Sequence, residues 1–600
     1  MENTIWGFDA LRYAVHIAAT TLALRNPDVT LDNMNLYAVP LGEDEQRRVS
    51  LGSLEFLGKG VPTTMLGYLG EEESVATKIS TAEETKTTPL PKRFDLILMN
   101  PPFTRATGRG KKKGIKGLFG FLTDPAIRAD VLNVYKIVRK NVRDNLIHIA
   151  SNINWMKHLS IPKNLKREFT RTLFSIGQAG EGLLFLYLAY EYIKKGGRIA
   201  FVLPRNLLSG SAWFLVRAML ASMFCLEYVI VSFDPEEGYN FSESTALSET
   251  LIVARRINDG KPDGKTCFVC LLKKPKTAIE AVQLAHEIVD SYGTRSEELN
   301  ILEYGYGPQN VIGNAIIYTV PKAAMLKNID NWGKMVSFID PWLTIESLKI
   351  FNGIIDLGGT IVKIPIKLLI KIADIGIDRH QFHDNFEIME SKTPGCHPAI
   401  IGGGEEVRLK IATTPNAFIL PKTKESTEKY NQFKSNLLIP DRIRVNTAHI
   451  ISMYASEPLL SNIFYAVKLR TNDSKALKSL CLWLNTTWGL MTIIANREET
   501  EGPWISLKMS HWRLLPVLDV TSLPKEKLNA LEELFEKIKD SDWKRLMEQY
   551  DHKSPQKERL ALDLEFIKIL NPNLDEKVVG EFLRNNLYPR LFSALKRWIG

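Results

Sequence analysis

Over roughly the first 275 residues, short apolar runs alternate with longer amphipathic stretches, and that rhythm predicts an α/β chain. Ile5-Trp6-Gly7-Phe8 reads as the end of a strand, Asp9 as its polar stop, and Ala10 to Leu24 as a helix with Ala14, Ile17, Ala18 and Leu22 on its apolar face. Phe94 to Met99 reads as a buried strand. Leu183 to Lys195 and Ala212 to Met223 have helical spacing, whereas Gly196 to Pro204, Leu226 to Phe233, Glu249 to Arg255 and Thr266 to Leu272 read as strands. Glu71 to Lys92, rich in Glu, Thr, Ser and Pro without a period, reads as a surface insertion.

The strand at Phe94 to Met99 runs straight into Asn100-Pro101-Pro102-Phe103. Proline donates no ladder hydrogen bond and fixes its own φ, so the strand must end there. A stiff turn at the carboxyl end of a strand is where ligands bind in open α/β sheets. This one offers an amide, a carbonyl and an aromatic ring. The exocyclic amine of adenine is a weak nucleophile, and two acceptors on its hydrogens, Asn100 Oδ1 and the Pro101 carbonyl, favour its attack on an electrophilic methyl group. Phe103 supplies a face for a base swung out of its duplex.

These residues resemble the catalytic motif of the N6-adenine DNA methyltransferases, Asn/Asp-Pro-Pro-aromatic after a strand. The resemblance covers about residues 3 to 275 and includes Asn240 to Thr245 before the strand at Glu249. It implies a Rossmann-like core that uses S-adenosylmethionine, with Asp9 in the position that takes the cofactor's ribose hydroxyls. In Leu51-Gly52-Ser53-Leu54-Glu55-Phe56, Gly52 stands where the family commonly carries an Asp, which leaves adenine recognition to Ser53, to backbone groups or to nothing. The family's glycine-rich cofactor loop should precede Asp9 by about 20 residues. Only eight residues do so, and the expectation is a core lacking its first βα unit, either truncated or completed by another polypeptide.

Charge adds one feature. The run 104–117 holds six basic and no acidic residues, Arg105, Arg109, Lys111, Lys112 and Lys113 among them, and a basic glycine-rich loop beside the base pocket suits a DNA phosphate backbone. The net charge of +9 over 600 residues permits a polyanionic partner without identifying one. Five cysteines give no disulfide framework and fit a reducing, cytoplasmic setting. Cys267 and Cys270 lie three apart on an expected strand and so point to opposite faces, which argues against a metal there, and two histidines in the expected loop Arg379 to Asp384 lack a third ligand. The apolar stretch Ile350 to Ile377 is interrupted by Asp356, Lys363, Lys367 and Lys371, too many charges for a membrane span.

In the second half, Leu437 to Arg444, Leu477 to Asn485, Trp488-Gly489 and Thr500 to Lys508 resemble the target-recognition domain of type I specificity subunits and fused modification enzymes. Pro524 to Asp540 follows as a helix with Leu528, Leu531, Leu534, Phe535 and Ile538 on one face, similar to their spacer helices. Arg442 and Arg444, with Asn446, Lys468, Arg470 and Arg497, are available to read base edges. The expected organisation is a partial catalytic domain at 1–275, a connecting region at 276–330, an α+β DNA target-recognition domain at 331–522 and a helical region at 523–600. The resemblance implies site-specific adenine methylation of double-stranded DNA within a restriction-modification or related defence system, with a restriction subunit as a further partner. Two other readings remain: methylation of RNA or of a protein amide, which the same motif serves, and a DNA-binding chain that is inactive without a complementing partner.

Overall fold

The computed structural model describes the whole chain except residues 1–3, 26, 29–33, 44–48, 58–75, 80–83, 88–92, 104–118, 120, 121, 123, 235, 243–247, 258–263, 295–309, 313, 314, 403–408, 499–503, 552 and 600. The chain is mixed α/β. Its first strand β1 (Trp6–Asp9), helix α1 (Arg12–Leu24) and strand β2 (Asn35–Ala38) make one crossover unit with the two strands parallel. A short hairpin follows, β3 (Leu41–Glu43) with β4 (Val49–Leu51). Then β5 (Ala76–Ile79) and β6 (Glu84–Thr87) add antiparallel to β2, giving a four-stranded sheet in the order β1-β2-β5-β6.

Two expectations change here. The segment 71–92 is not wholly irregular, because β5 and β6 pair through threonine-rich strands whose backbone ladder needs no hydrophobic period. Helix α1 buries Val15 and Ala19 against Met34 and Leu36, while Ile17 is exposed. The helix is apolar on more than one side, so periodicity alone could not choose the face that the small sheet receives.

The larger sheet has seven strands in the order β12-β13-β11-β9-β10-β8-β7. They are β7 (Phe94–Met99), β8 (Ile193–Pro204), β9 (Phe224–Ser232), β10 (Glu249–Arg256), β11 (Lys265–Leu271), β12 (Asn310–Ile312) and β13 (Ala315–Pro321). Pairs β7-β8 and β9-β11 are parallel, and the others antiparallel. Helices Gly182–Tyr192 and Phe214–Met223 and the long helix α2 (Pro125–Ser151) pack on it in one core. Asp124 caps α2 and Pro125 starts it, which suits an N-terminus whose first N–H has no partner in the helix. The sheet runs to Pro321, so the expected boundary at 275 falls inside it: β13 pairs with β11 along its length.

The second half forms an eight-stranded sheet around Ser435–Pro440 and Met453–Ser461. Helix Lys525–Ile538 buries Leu528, Leu531, Leu534, Phe535 and Ile538, the five positions its spacing picks out. A single core runs from Phe338 to Leu595, so no core boundary separates 331–522 from the helices after it. Arg379–Asn385 is a helix rather than a loop, started by a capping box between Asp378 and Gln381. Among the described residues no helix is long and apolar enough to cross a membrane.

The halves are joined by polar groups that reach backbone carbonyls. Asn331 Nδ2 donates to the carbonyls of Asn496 (3.1 Å) and Arg497 (3.2 Å). Arg217, fully buried on helix Phe214–Met223, donates to the carbonyls of Leu207, Gly210, Ile329 and Asp330.

Candidate functional site

β7 stops where the two prolines require. Pro101 is buried, and Gly182 lets it approach: a Cβ on Gly182 would lie 3.7 Å from Pro101 Cγ and 3.0 Å from Leu203 Cδ2. Asn100 is exposed at the strand end, with its Nδ2 donating to Ser242 Oγ at 3.1 Å. An amide whose nitrogen is held in this way has its orientation set, and Oδ1 remains an acceptor. Phe103 is half-buried in the same turn.

The loop that carries Ser242 is itself built from below. The buried Glu249 carboxylate accepts from the backbone N–H of Phe241 (2.6 Å) and Ser242 (2.8 Å), and Asn240 Nδ2 donates to the Ser242 carbonyl (2.8 Å). Lys274 Nζ donates to the carbonyls of Glu237 (2.5 Å) and Asn240 (2.9 Å). Asp234 closes the base of the loop. Burial opposes its ionisation, but the backbone donors of Lys274, Glu237 and Glu236 outweigh that and hold the carboxyl below its ordinary range. The sequence marks Asn240 to Thr245 but offers no sign that Ser242 meets Asn100, 142 residues away.

One cavity of about 850 Å³ collects Asp9, Ser53, Asn100, Pro101 and Pro102. Asp9 stands at the end of β1, where its Oδ1 accepts from Leu11 N (2.7 Å) and fixes the turn into α1. Gly52 has φ +62°, a backbone that favours glycine and accounts for the missing acid at that position; half-buried Ser53 follows it onto the cavity wall. Phe8 stacks on Tyr37 at 5.3 Å and meets Phe56 edge-on at 5.3 Å, a rigid aromatic side to the same cavity.

Asp9 is the only charged residue on the described wall. These residues fit the nucleoside end of S-adenosylmethionine: a carboxylate for the ribose hydroxyls and a flat apolar side for the base. The amino-acid end meets no cationic side chain among the described lining residues. The basic loop, with Arg105, Arg109, Lys111, Lys112 and Lys113, lies outside the described residues.

The second-half candidates separate by burial. Arg442 and Arg444 project from a short strand on either side of buried Ile443, both exposed. Lys468 Nζ donates to the carbonyls of Asn431 and Gln432, and Arg470 pairs with Asp374 at 2.8 Å. Arg497 is buried and donates to the carbonyls of Ser337 and Ile494 (2.8 and 2.9 Å), so it holds the core rather than facing a ligand.

Cys267 and Cys270 fall in separate cores on opposite faces of the large sheet, as strand geometry demands. Burial pushes both thiols, and that of Cys481, up to about 12. At neutral pH their thiolate fraction is lowered by about a thousandfold. A colourimetric thiol reagent should therefore find only the half-buried Cys225 and Cys396 reactive in the native protein, and all five after denaturation. Rapid native modification of Cys267 or Cys270 would refute this placement.

No protein family's sequence profile matches the chain, and no curated protein sequence does. Two solved structures are similar to it. One is the type IIG restriction endonuclease BpuSI, at 15% identity and a TM-score of 0.30, covering 84% of this chain and 54% of that one. The other is a type I restriction-modification methyltransferase subunit from Streptococcus thermophilus, at 17% identity and a TM-score of 0.21, covering 41% of this chain and 38% of that one. The chain thus spans about half the length of the first.

Proposed function

We infer that the protein is an S-adenosylmethionine-dependent methyltransferase acting on adenine N6 in double-stranded DNA, of the kind that serves restriction-modification. The observation that carries the reading is the convergence on one cavity of Asp9, Ser53 and the Asn100-Pro101-Pro102 turn, from three separate segments, with Asn100 already oriented by Ser242.

S-adenosylmethionine, when bound, supplies an electrophilic methyl group. Asp9 and Ser53 would hold its nucleoside end. Asn100 Oδ1 and the Pro101 carbonyl accept the two hydrogens of the target amine and stabilise the positive charge that grows on it as it attacks. Phe103 stacks on the extruded base and offsets part of an unpairing cost of a few kcal/mol, roughly. The proton leaves to solvent, and no ionising base is needed. The exposed Arg442 and Arg444, with the basic loop, would meet DNA, and the size of the second half favours a nucleic-acid substrate over a protein amide.

The reading is tested by incubating the chain with methyl-labelled cofactor and plasmid DNA and digesting to nucleosides: label in N6-methyladenosine supports it, and label in cytosine products or in protein refutes it. A second reading, a DNA-binding chain dependent on a partner, is favoured by a described wall that offers the cofactor's amino-acid end no cation. On that ground calorimetry on the chain alone should show cofactor binding weaker than micromolar. Micromolar affinity would refute the need for a partner.

A further inference from the structure

The cavity that holds the candidate site is also a gap between two sheets. β1 is the terminal strand of the four-stranded sheet and β7 the terminal strand of the seven-stranded one; each is paired on its other side by a parallel neighbour, β2 and β8. The wall of the cavity includes the unbroken runs Trp6 to Leu11 and Leu96 to Pro102. Side chains alternate between the faces of a strand, so consecutive residues can line one cavity only where the strand is met along its edge. The two strands also run in the same direction. The rings of Trp6 and Phe94, at their starts, are 6.2 Å apart, and Asp9 and Asn100, at their ends, share the cavity.

Neither edge pairs with a strand among the described residues. On β7, Ile97 faces the core at 7% exposure while Leu96 and Leu98 are 55% and 68% exposed, and Leu11 at the cavity's rim is exposed by half. Parallel strands are ordinarily covered on both faces, and an apolar parallel edge left open invites another strand. Backbone donors and acceptors along both sides require a partner that can satisfy them, which a lipid or an aromatic ligand cannot do. The wall is apolar apart from Asp9 at the mouth.

We propose that this gap is a docking slot for an extended apolar segment of a second polypeptide, which enters as a β-strand parallel to β1 and β7 and joins the two sheets into one. The segment is rich in Val, Ile and Leu, lacks proline and spans four to six residues, the lengths of β1 and β7. The slot is defined by strand edges and does not depend on methyl transfer. A strand seated there would leave the Asp9 and Asn100 end of the cavity open to a small ligand, because both residues lie beyond or at the last paired position of their strands.

Hydrogen exchange followed by mass spectrometry on the full 600-residue chain tests the slot. The probe is a pool of lysine-flanked peptides with cores such as Val-Ile-Val-Leu-Val; the control pool carries proline at the central position. The expected result is saturable loss of fast exchange over residues 6–9 and 94–99 with the first pool and not with the second. Equal protection by both pools, or protection by neither, overturns the proposal. Protection that appears without peptide as protein concentration rises, together with a dimer in sedimentation, assigns the slot to a second copy of the chain and also overturns it. Full protection by S-adenosylmethionine alone overturns it as well and makes the cavity a ligand site only. None of these outcomes is read from methyltransferase activity, so the slot and the methyl-transfer reading can fail separately.

Discussion

Asn100→Ala is expected to abolish methyl transfer by any active form of the protein while leaving its thermal midpoint unchanged. Asn100 is exposed at the end of β7, and its side chain contributes one hydrogen bond, to Ser242, so truncation removes no core contact. What it removes is an oriented acceptor placed where positive charge develops on the target amine. Loss of one such preorganised group costs ~3 kcal/mol of barrier, a rate loss of more than about a hundredfold. Ser242→Ala keeps the acceptor but frees its orientation, and a smaller loss of about 1 kcal/mol follows from one lost hydrogen bond. Single-turnover transfer with saturating cofactor separates these effects from binding. Wild-type rates from Asn100→Ala would refute the assignment of the turn, and a Ser242→Ala loss as large as that of Asn100→Ala would show that Ser242 does more than orient it.

Arg217→Met should have the largest effect on stability. The guanidinium, with no exposed surface, reaches the carbonyls of Ile329 (2.9 Å), Leu207 (2.8 Å), Gly210 (2.9 Å) and Asp330 (2.6 Å). Burial brings its pKa down to about 10, opposed by Asp330 and Glu498, so the group is still cationic at neutral pH and its hydrogen bonds are charge-assisted. Methionine matches the length but leaves four buried acceptors without a donor, each worth ~1–3 kcal/mol when orphaned. Relaxation and water entry recover part of this, and a net loss of about 4 kcal/mol or more is expected. Because Ile329 and Asp330 lie in the segment that leads into the second half, the variant should also separate the unfolding of the two cores, visible as two transitions in a calorimetric scan. A midpoint within a degree or so of wild type would refute this account of Arg217.

Much of the site is legible in the sequence because the relevant signals are local. Two prolines after an apolar run end a strand whatever surrounds them, and β7 stops at Met99. The five apolar positions of helix Lys525–Ile538 repeat at 3.6 residues and fall on its buried side. Strands β8 to β11 follow from apolar runs bounded by glycine and proline, and the spacing of Cys267 and Cys270 on such a strand places them on opposite faces. The switch between two periods puts Asp9 at the end of β1.

What the sequence leaves open depends on which surfaces meet. α1 carries apolar residues on more than one side, and only the packing of Met34 and Leu36 selects Val15 and Ala19 over Ile17. Arg497 has the composition of a base-reading residue, yet its surroundings are backbone carbonyls, a fact written nowhere near it in the chain. The pairing of β5 with β6 rests on backbone ladders that leave no hydrophobic period to read. Asn100 finds Ser242, and β1 comes to face β7 across an open edge, because hydrogen bonds and strand edges are satisfied by proximity in space. That proximity is set by the fold as a whole, and no local pattern encodes it.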